Sequence, residues 1–390
     1  MLYYERRLLM ARMEIANVKE TWFEDWEKHF GELEDPRVDG RIYHPLMDIL
    51  MLGLCGIISG AEGWVEVEQF GKTKLDWLKN FLQLPNGIPS HDTIGRVFSL
   101  IDPNKFKACF ITWARELAQR HEGLISIDGK ALRASNDQGE PPVTIVSAWS
   151  ARNQIVLGQT KTDEKSNEIT AIPKLIDSID VTGSIVSIDA AGCQKNIAEK
   201  LIESGADYLI ALKGNQGHLH NEVSKFLSSI RDQNVYGENI DESETVGKGH
   251  GRIEKRVCLT STDTLLLPTT HPWKGLQTVI MIEAQRVLGE KSSVERRYYI
   301  SSAKRSAQEF NELIRGHWGV ENQLHWVLDV GFREDQCRVR AGFAAENYAT
   351  LRHIALNLIK QDKTRKGGIK SKRMQAGWDH DFLLSLLGRI

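Results

Sequence analysis

The chain has little of the chemistry that holds secreted or membrane proteins together. Its 390 residues include only five cysteines (Cys55, Cys109, Cys193, Cys258 and Cys337). They are scattered singly, with no CxxC pair and no histidine-rich spacing, which disfavours both a disulfide framework and a structural zinc site. They read as buried thiols of a reducing cytoplasm. The N-terminus, MLYYERRLLMARME, mixes charges among its apolar residues and shows no cleavable signal pattern. The longest apolar run, PLMDILMLGLCGIISGA, carries Asp48 and falls short of the roughly 20 residues that cross a bilayer. A buried helix is expected there instead. Net charge is also nearly absent: 50 Lys and Arg against 52 Asp and Glu leave −2, a balance that neither requires nor excludes a nucleic-acid partner. We find no internal repeat.

What is present is apolar content of 41%, enough for a large core and for two or three folding units. From about residue 20 to 120 the periodicity is helical, in WFEDWEKHF, the apolar run, WVEVEQFGKTKLDWLKNFL, IPSHDTIGRVFSLI and NKFKACFITWARELAQRH. This predicts a helical N-terminal domain over 1–120. Ser90 caps a helix on which Thr93 and Arg96 share an exposed face beside Ile94, Val97 and Phe98. That pattern resembles the second helix of a helix-turn-helix, though an amphipathic helix in a bundle explains it equally well.

After residue 123 the grammar changes to strands. LISID, VTIVSAWSA and QIVLGQTKT, separated by turn residues, predict three antiparallel strands. EITAIPKLIDSI follows as a helix with Pro in its first turn, then the strand SIVSIDA, the helix CQKNIAEKLIESG and the strand DYLIALKGNQ. The order βββαβαβ, with right-handed crossovers, describes an α/β, ribonuclease H-like mixed sheet. We assign it to residues 121–360, with a β-rich insertion at about 217–300 before a last helix. Within that insertion RIEKRVCLTS, QTVIMIEAQRVL and VERRYYISSA read as strands and YGENIDESETV as an acidic loop. Residues 361–390 form a basic tail, KTRKGGIKSKRM, read as a flexible arm for a phosphate backbone.

Two of the predicted strands end in carboxylates, Asp128 and Asp189. In this topology they lie side by side and parallel, so both acids reach the sheet edge where open α/β sheets place their sites. Facing carboxylates repel unless a cation sits between them, and an oxygen-rich site suits Mg²⁺ or Mn²⁺, two such ions serving phosphodiester displacement. A third acid is then needed. Glu321 in RGHWGVENQLHW is the best candidate, with His317 four residues before it, His325 four after, and Trp318 and Asn322 flanking. The two histidines are read as phosphate contacts or as groups orienting Glu321. Asp329 and Glu334 compete for the third position.

SIDGKALR, QTKTDEKSNEITAIP, IDAAGCQ, YLIALKGNQ, RYYISS and HWGVENQLHWVLDV followed by ED resemble, in that order, blocks of the H-repeat-associated family of bacterial insertion-sequence transposases, of the DDE class. GIISGAEGW and GIPSHDTIGRVFS resemble its associated helical domain. Ala191 stands where relatives would carry Met. The resemblance implies that Asp128, Asp189 and Glu321 are the metal-binding catalytic triad of a DNA transposase using Mg²⁺ or Mn²⁺. It implies double-stranded DNA as substrate, both transposon ends and target, a homodimer on DNA, no membrane association, and a cytoplasmic chain that joins the nucleoid when bound to DNA. Lys130, Arg133, Lys213, Asn215 and Gln216, just past strand ends, are expected to bind phosphates or terminal bases. His250, Arg252 and Arg256 would extend the DNA surface from the insertion, and Trp273 is a candidate base platform, or simply packing. A ribonuclease H-like nuclease without strand transfer, and a transposase relic that binds DNA but no longer reacts, are the rival readings.

Overall fold

The computed structural model describes residues 23–118, 122–136, 141–163, 168–234, 237–249, 252–288 and 291–388. Nine strands form one mixed sheet in the order β3-β2-β1-β4-β5-β9-β8-β7-β6. The three hairpinned strands are β1 (Leu124–Ala131), β2 (Thr144–Ser150) and β3 (Ile155–Lys161). Next come β4 (Ile185–Ile188) and β5 (Asp207–Leu212). β4 runs parallel to β1, and β5 parallel to β4. The adjacency expected of the first and fourth strands is therefore present.

The segment expected to be a separate insertion continues the same sheet. β9 (Lys291–Ser301) pairs antiparallel with β5, and β8 (Thr278–Leu288), β7 (Arg252–Ser261) and β6 (Ile240–Gly249) add to it in turn. The expected acidic loop is largely β6. Its acids are answered across the ladder and from a neighbouring helix: Glu244 by Lys255 at 2.8 Å, Glu242 by Arg231 at 3.2 Å. Charges on an edge strand also discourage pairing with other chains. Pro173 lies inside the helix Glu168–Ser178, beyond its first turn, where the sequence reading had put it.

Each face of the central sheet has its own cover. Ile125, Ile127, Val186 and Ile188 pack with Ile172 and Leu175 of Glu168–Ser178 and with Ile197 and Leu201 of the helix Lys195–Glu203. On the other face, Ile185 and Leu209 meet Phe310 and Ile314 of the helix Ala307–His317. Ser306 and Glu309 close a capping box at that helix's start. Burial of Phe310 and Ile314, at about 1.5–3 kcal/mol each, outweighs a cap worth about 1 kcal/mol in fixing where the helix sits.

The third core is helical. Leu46–Ile58, the apolar run, is buried from Asp48 onward. Asp48 is tolerated there because it accepts from the amides of Gln83 (3.2 Å) and Leu84 (2.7 Å). It shares a core with Ala344–Gln361, a helix buried at every residue from Ala344 to Ile359. In His91–Leu100, Ser90 caps as expected, and Ile94, Val97 and Phe98 are buried in this bundle. The long helix also seals the sheet: Asn357 donates to Val156 O at 2.9 Å and accepts from Val156 N at 2.8 Å, covering edge strand β3.

The C-terminal tail is not a free arm. It forms the helices Ile369–Trp378 and His380–Leu387, whose Leu383, Leu386 and Leu387 enter the helical core. Lys372 pairs with Asp362 at 2.9 Å. Buried Arg373 donates to Ile57 O (2.9 Å), Ala61 O (2.8 Å) and Gly331 O. These cations stay inside because each finds acceptors there.

Candidate active site

The parallel ladder of β1 and β4 stops at the pair Ile127 and Ile188, so the next residues, Asp128 and Asp189, stand where the two strands part. Asp189 follows the end of β4, whereas β1 does not end at Asp128 as expected but runs on to Ala131 against β2. Asp128 accepts from Gly129 N at 2.9 Å, and Asp189 from the amides of Ala191 (3.0 Å) and Gly192 (3.3 Å). Two residues back, Ser187 donates to Ser126 at 3.1 Å and lies 2.8 Å from His317 Nδ1. Strand alternation puts these serines on the same face as the aspartates. Burial, then the charge of Asp189 and, more weakly, those of Glu168 and Glu321, push Asp128 up to about 7.

Glu321 comes from beyond Ala307–His317. There the chain passes into a π-helical segment, Val320–His325, before the helix Trp326–Phe332. Such segments are rare and cluster at functional sites. His317 and Glu321 border the cavity beside Asp189, and His325 stands near Asp128. Glu321 and Asp189 border one cavity of about 350 Å³, together with Lys213, Arg297, Tyr299 and Trp318. Burial raises Glu321, against the pull of Arg297 and with a smaller push from the charge of Asp189.

Burial drives His325 down to about 4, helped by Lys130, and burial lowers His317 as well. His317 is engaged by Ser187. His325 Nδ1 stands 3.6 Å from Asp128 Oδ2, too far for a hydrogen bond.

The expected DNA-binding residues divide. Lys130 is turned inward: its ammonium lies 2.7 Å from Asp329, 2.9 Å from Asp335 and 3.3 Å from Glu334. Burial opposes its charge, but these carboxylates outweigh it and hold the pKa above the ordinary value. Lys130 is thus a strut rather than a free phosphate ligand, and Asp329 and Glu334, the rival third acids, are committed to it. Arg133, 3.3 Å from Asp335, stays 80% exposed. Asn215 donates to Ala190 O at 2.7 Å and Gln216 to Cys193 O at 2.9 Å, so both amides brace the loop after Asp189. Arg256 is half-buried: it donates to Asn311 at 2.6 Å, and burial lowers its pKa. His250 and the side chain of Arg252 lie outside the described residues. Trp318 is partly exposed under the Arg297 guanidinium, 5.4 Å from its ring centre. Trp273 is buried and packs.

One acid escaped the sequence reading. Glu168, at the start of its helix, is pushed up by burial and by Asp189. Its signal lay within the block QTKTDEKSNEITAIP, between the two aspartates. Among the described residues no lysine or arginine pairs with Asp128, Glu168, Asp189 or Glu321. Such an all-oxygen set, repelling itself, has the chemistry of a hard divalent cation site. No three acidic, histidine or cysteine side chains among the described residues already stand in ligating geometry. No described helix is long and apolar enough to cross a membrane.

Residues 96–358 match the family described as transposase DDE domain, and residues 27–114 the family described as DDE_Tnp_1-associated. YhhI, an H repeat-associated protein of Escherichia coli (strain K12), is 43% identical over 368 residues, covering 92% of this chain and 97% of that one. YncI of Escherichia coli O157:H7 is 42% identical over 366 residues, covering 92% and 93%. A cryo-EM structure of the piggyBac transposase synaptic complex with hairpin DNA aligns at 8% identity and a TM-score of 0.41, over 91% of this chain and 76% of that one, a likeness too distant to carry an inference.

Proposed function

This chain belongs to the family of transposases with a DDE domain, and from that premise we propose that it cuts the ends of an insertion sequence and joins them to target DNA at Asp128, Asp189 and Glu321. The observation that carries the reading is the convergence of these acids. Asp128 in β1 and Asp189 just past β4 follow one paired register, and Glu321, from the π segment, borders the same cavity as Asp189. The DDE class depends on divalent metal, and Asp128, Asp189 and Glu321 would hold Mg²⁺ or Mn²⁺. Two such ions, when bound, stabilise the attacking and leaving oxygens of a phosphodiester displacement.

The chain's own part is placement. Asn215 and Gln216 brace the Asp189 loop. Lys130 ties the Asp128 strand to the helix after Glu321. Lys213, Arg297 and Trp318, around the cavity at Glu321, are the groups we assign to the incoming strand: two cations for its phosphates and an indole for an apolar or stacked contact. Water opens the phosphodiester at the transposon end and frees a 3′ hydroxyl, which then attacks a target phosphodiester whose own 3′ oxygen leaves, so one site serves cutting and joining.

We read β1 to β5 as a ribonuclease H-like core, and the helical layer matched over 27–114 as a module that presents DNA to it. Two transposon ends call for two copies of the site, hence a homodimer on DNA. The test is incubation of the purified chain with Mg²⁺, DNA carrying the element's ends and a supercoiled target. Joined donor–target products support the transposase reading, and cleavage without joining favours a nuclease.

A further inference from the structure

Asp128 and Asp189 lie on the sheet face covered by Ala307–His317, with Ser126, Ser187 and His317 behind them. Glu168 starts from the opposite face, where its helix packs Ile172 and Leu175 against Ile125 and Ile127. It nevertheless reaches the same edge, and Gly129 is the reason. A Cβ built on Gly129 would lie 2.5 Å from Glu168 Cδ and 3.0 Å from Cγ, closer than a real side chain tolerates. The missing side chain leaves a notch in β1 immediately after Asp128, and the Glu168 carboxylate occupies it.

Packing alone accounts poorly for an acid there. Among the described residues no lysine or arginine pairs with it, and a carboxylate brought beside two others without a cation is costly. A neutral side chain of the same length would fill the notch without that penalty.

We propose that Glu168 is a fourth carboxylate of the divalent-cation site, entering through the Gly129 notch to meet Asp128 and Asp189 from the other side of the sheet. This rests on the reading of those two aspartates as metal-holding residues. The donor set is oxygen throughout, which fits Mg²⁺ or Mn²⁺, and a fourth negative charge strengthens the hold on such an ion.

The experiment is calorimetric titration of Mn²⁺ into the full chain without DNA, with thermal melts in the presence and absence of Mn²⁺. Wild type is compared with Glu168→Gln, Gly129→Ala, Asp128→Asn and, as a control on the outer side of its helix, Glu312→Gln. Glu168→Gln is expected to weaken Mn²⁺ binding by roughly tenfold or more, yet to melt higher than wild type without metal because a repulsion is gone. Gly129→Ala, which displaces Glu168 but keeps its charge, is expected to weaken binding too, and Glu312→Gln to leave it unchanged. Mn²⁺ affinity within about twofold of wild type for Glu168→Gln, where Asp128→Asn loses binding, overturns the proposal alone. So does a Glu168→Gln chain that melts lower without metal, the mark of a packing role. Unchanged Mn²⁺ binding in both Asp128→Asn and Glu168→Gln overturns the metal-site reading beneath it as well.

Discussion

Lys130 and Asp329 meet at 2.7 Å, joining the strand end that carries Asp128 to the helix that follows Glu321. Asp335 and Glu334 complete the contact, and the Lys130 side chain is 11% exposed. A lysine so enclosed fixes the distance between the two halves of the site more than it attracts DNA.

Lys130→Ala should therefore act on stability first. Removing the ammonium leaves Asp329 without its cation, while Asp335 keeps Arg133 and Glu334 keeps Arg352, at a cost of up to about 3–5 kcal/mol for breaking a buried pair, measurable by urea denaturation. The salt dependence of DNA binding should stay as in wild type. Lys213→Ala should do the reverse: near-normal stability, with the slope of log K against log salt shallower by about 1.

The pH dependence of stability should show a neutral buried histidine. Burial, with Arg352 and Lys130 nearby, pushes His353 down to about 3, whereas the unfolded chain protonates it near the ordinary value of about 6.5. Its contribution is complete above that value and is lost as pH falls from there towards about 3, at up to about 1.4 kcal/mol per pH unit. Denaturation midpoints across this range should fall less steeply for His353→Leu than for wild type.

Arg373→Met should show what the C-terminal helices do. It takes the guanidinium from the carbonyls of Ile57, Ala61 and Gly331; Ile57 O keeps the Gly60 amide, and each group left unsatisfied costs about 1–3 kcal/mol. The variant should unfold at lower urea while the salt slope of DNA binding is unchanged. A normal midpoint with a shallower slope would restore the basic-arm reading.

The parts of this architecture that were legible in the sequence are those set by local pattern. LISID and SIVSID are β-branched runs, and the crossover connection between them implies that they pair in parallel; Gly129 and Lys130 hide that the first strand continues past its acid to Ala131. The strand Ile240–Gly249 is hidden because many of its side chains are charged; its ladder with Arg252–Ser261 makes it a strand, and Lys255 and Arg231 answer two of its acids. The inward turn of Lys130 and Arg256 was equally unreadable, since sequence shows a charge but not what lies across from it. The π register at Glu321 is a choice of hydrogen-bond spacing that no residue type announces. Glu168 was passed over because its neighbours across the Gly129 notch come from another strand. In the tail, the charges of KTRKGGIKSKRM mask the apolar DFLLSLL that follows and buries the segment.

The central claim is that Asp128, Asp189 and Glu321 act together on DNA. Its most direct test is cleavage of DNA carrying the element's own ends, with Mg²⁺ or Mn²⁺, comparing wild type with Asp128→Asn, Asp189→Asn and Glu321→Gln at matched DNA binding. The account predicts that wild type nicks at the transposon ends and that each substitution lowers the rate by at least roughly a hundredfold while end binding survives. Undiminished cutting by Glu321→Gln would contradict the triad, and a wild-type chain that binds its ends without ever cutting them would be a relic.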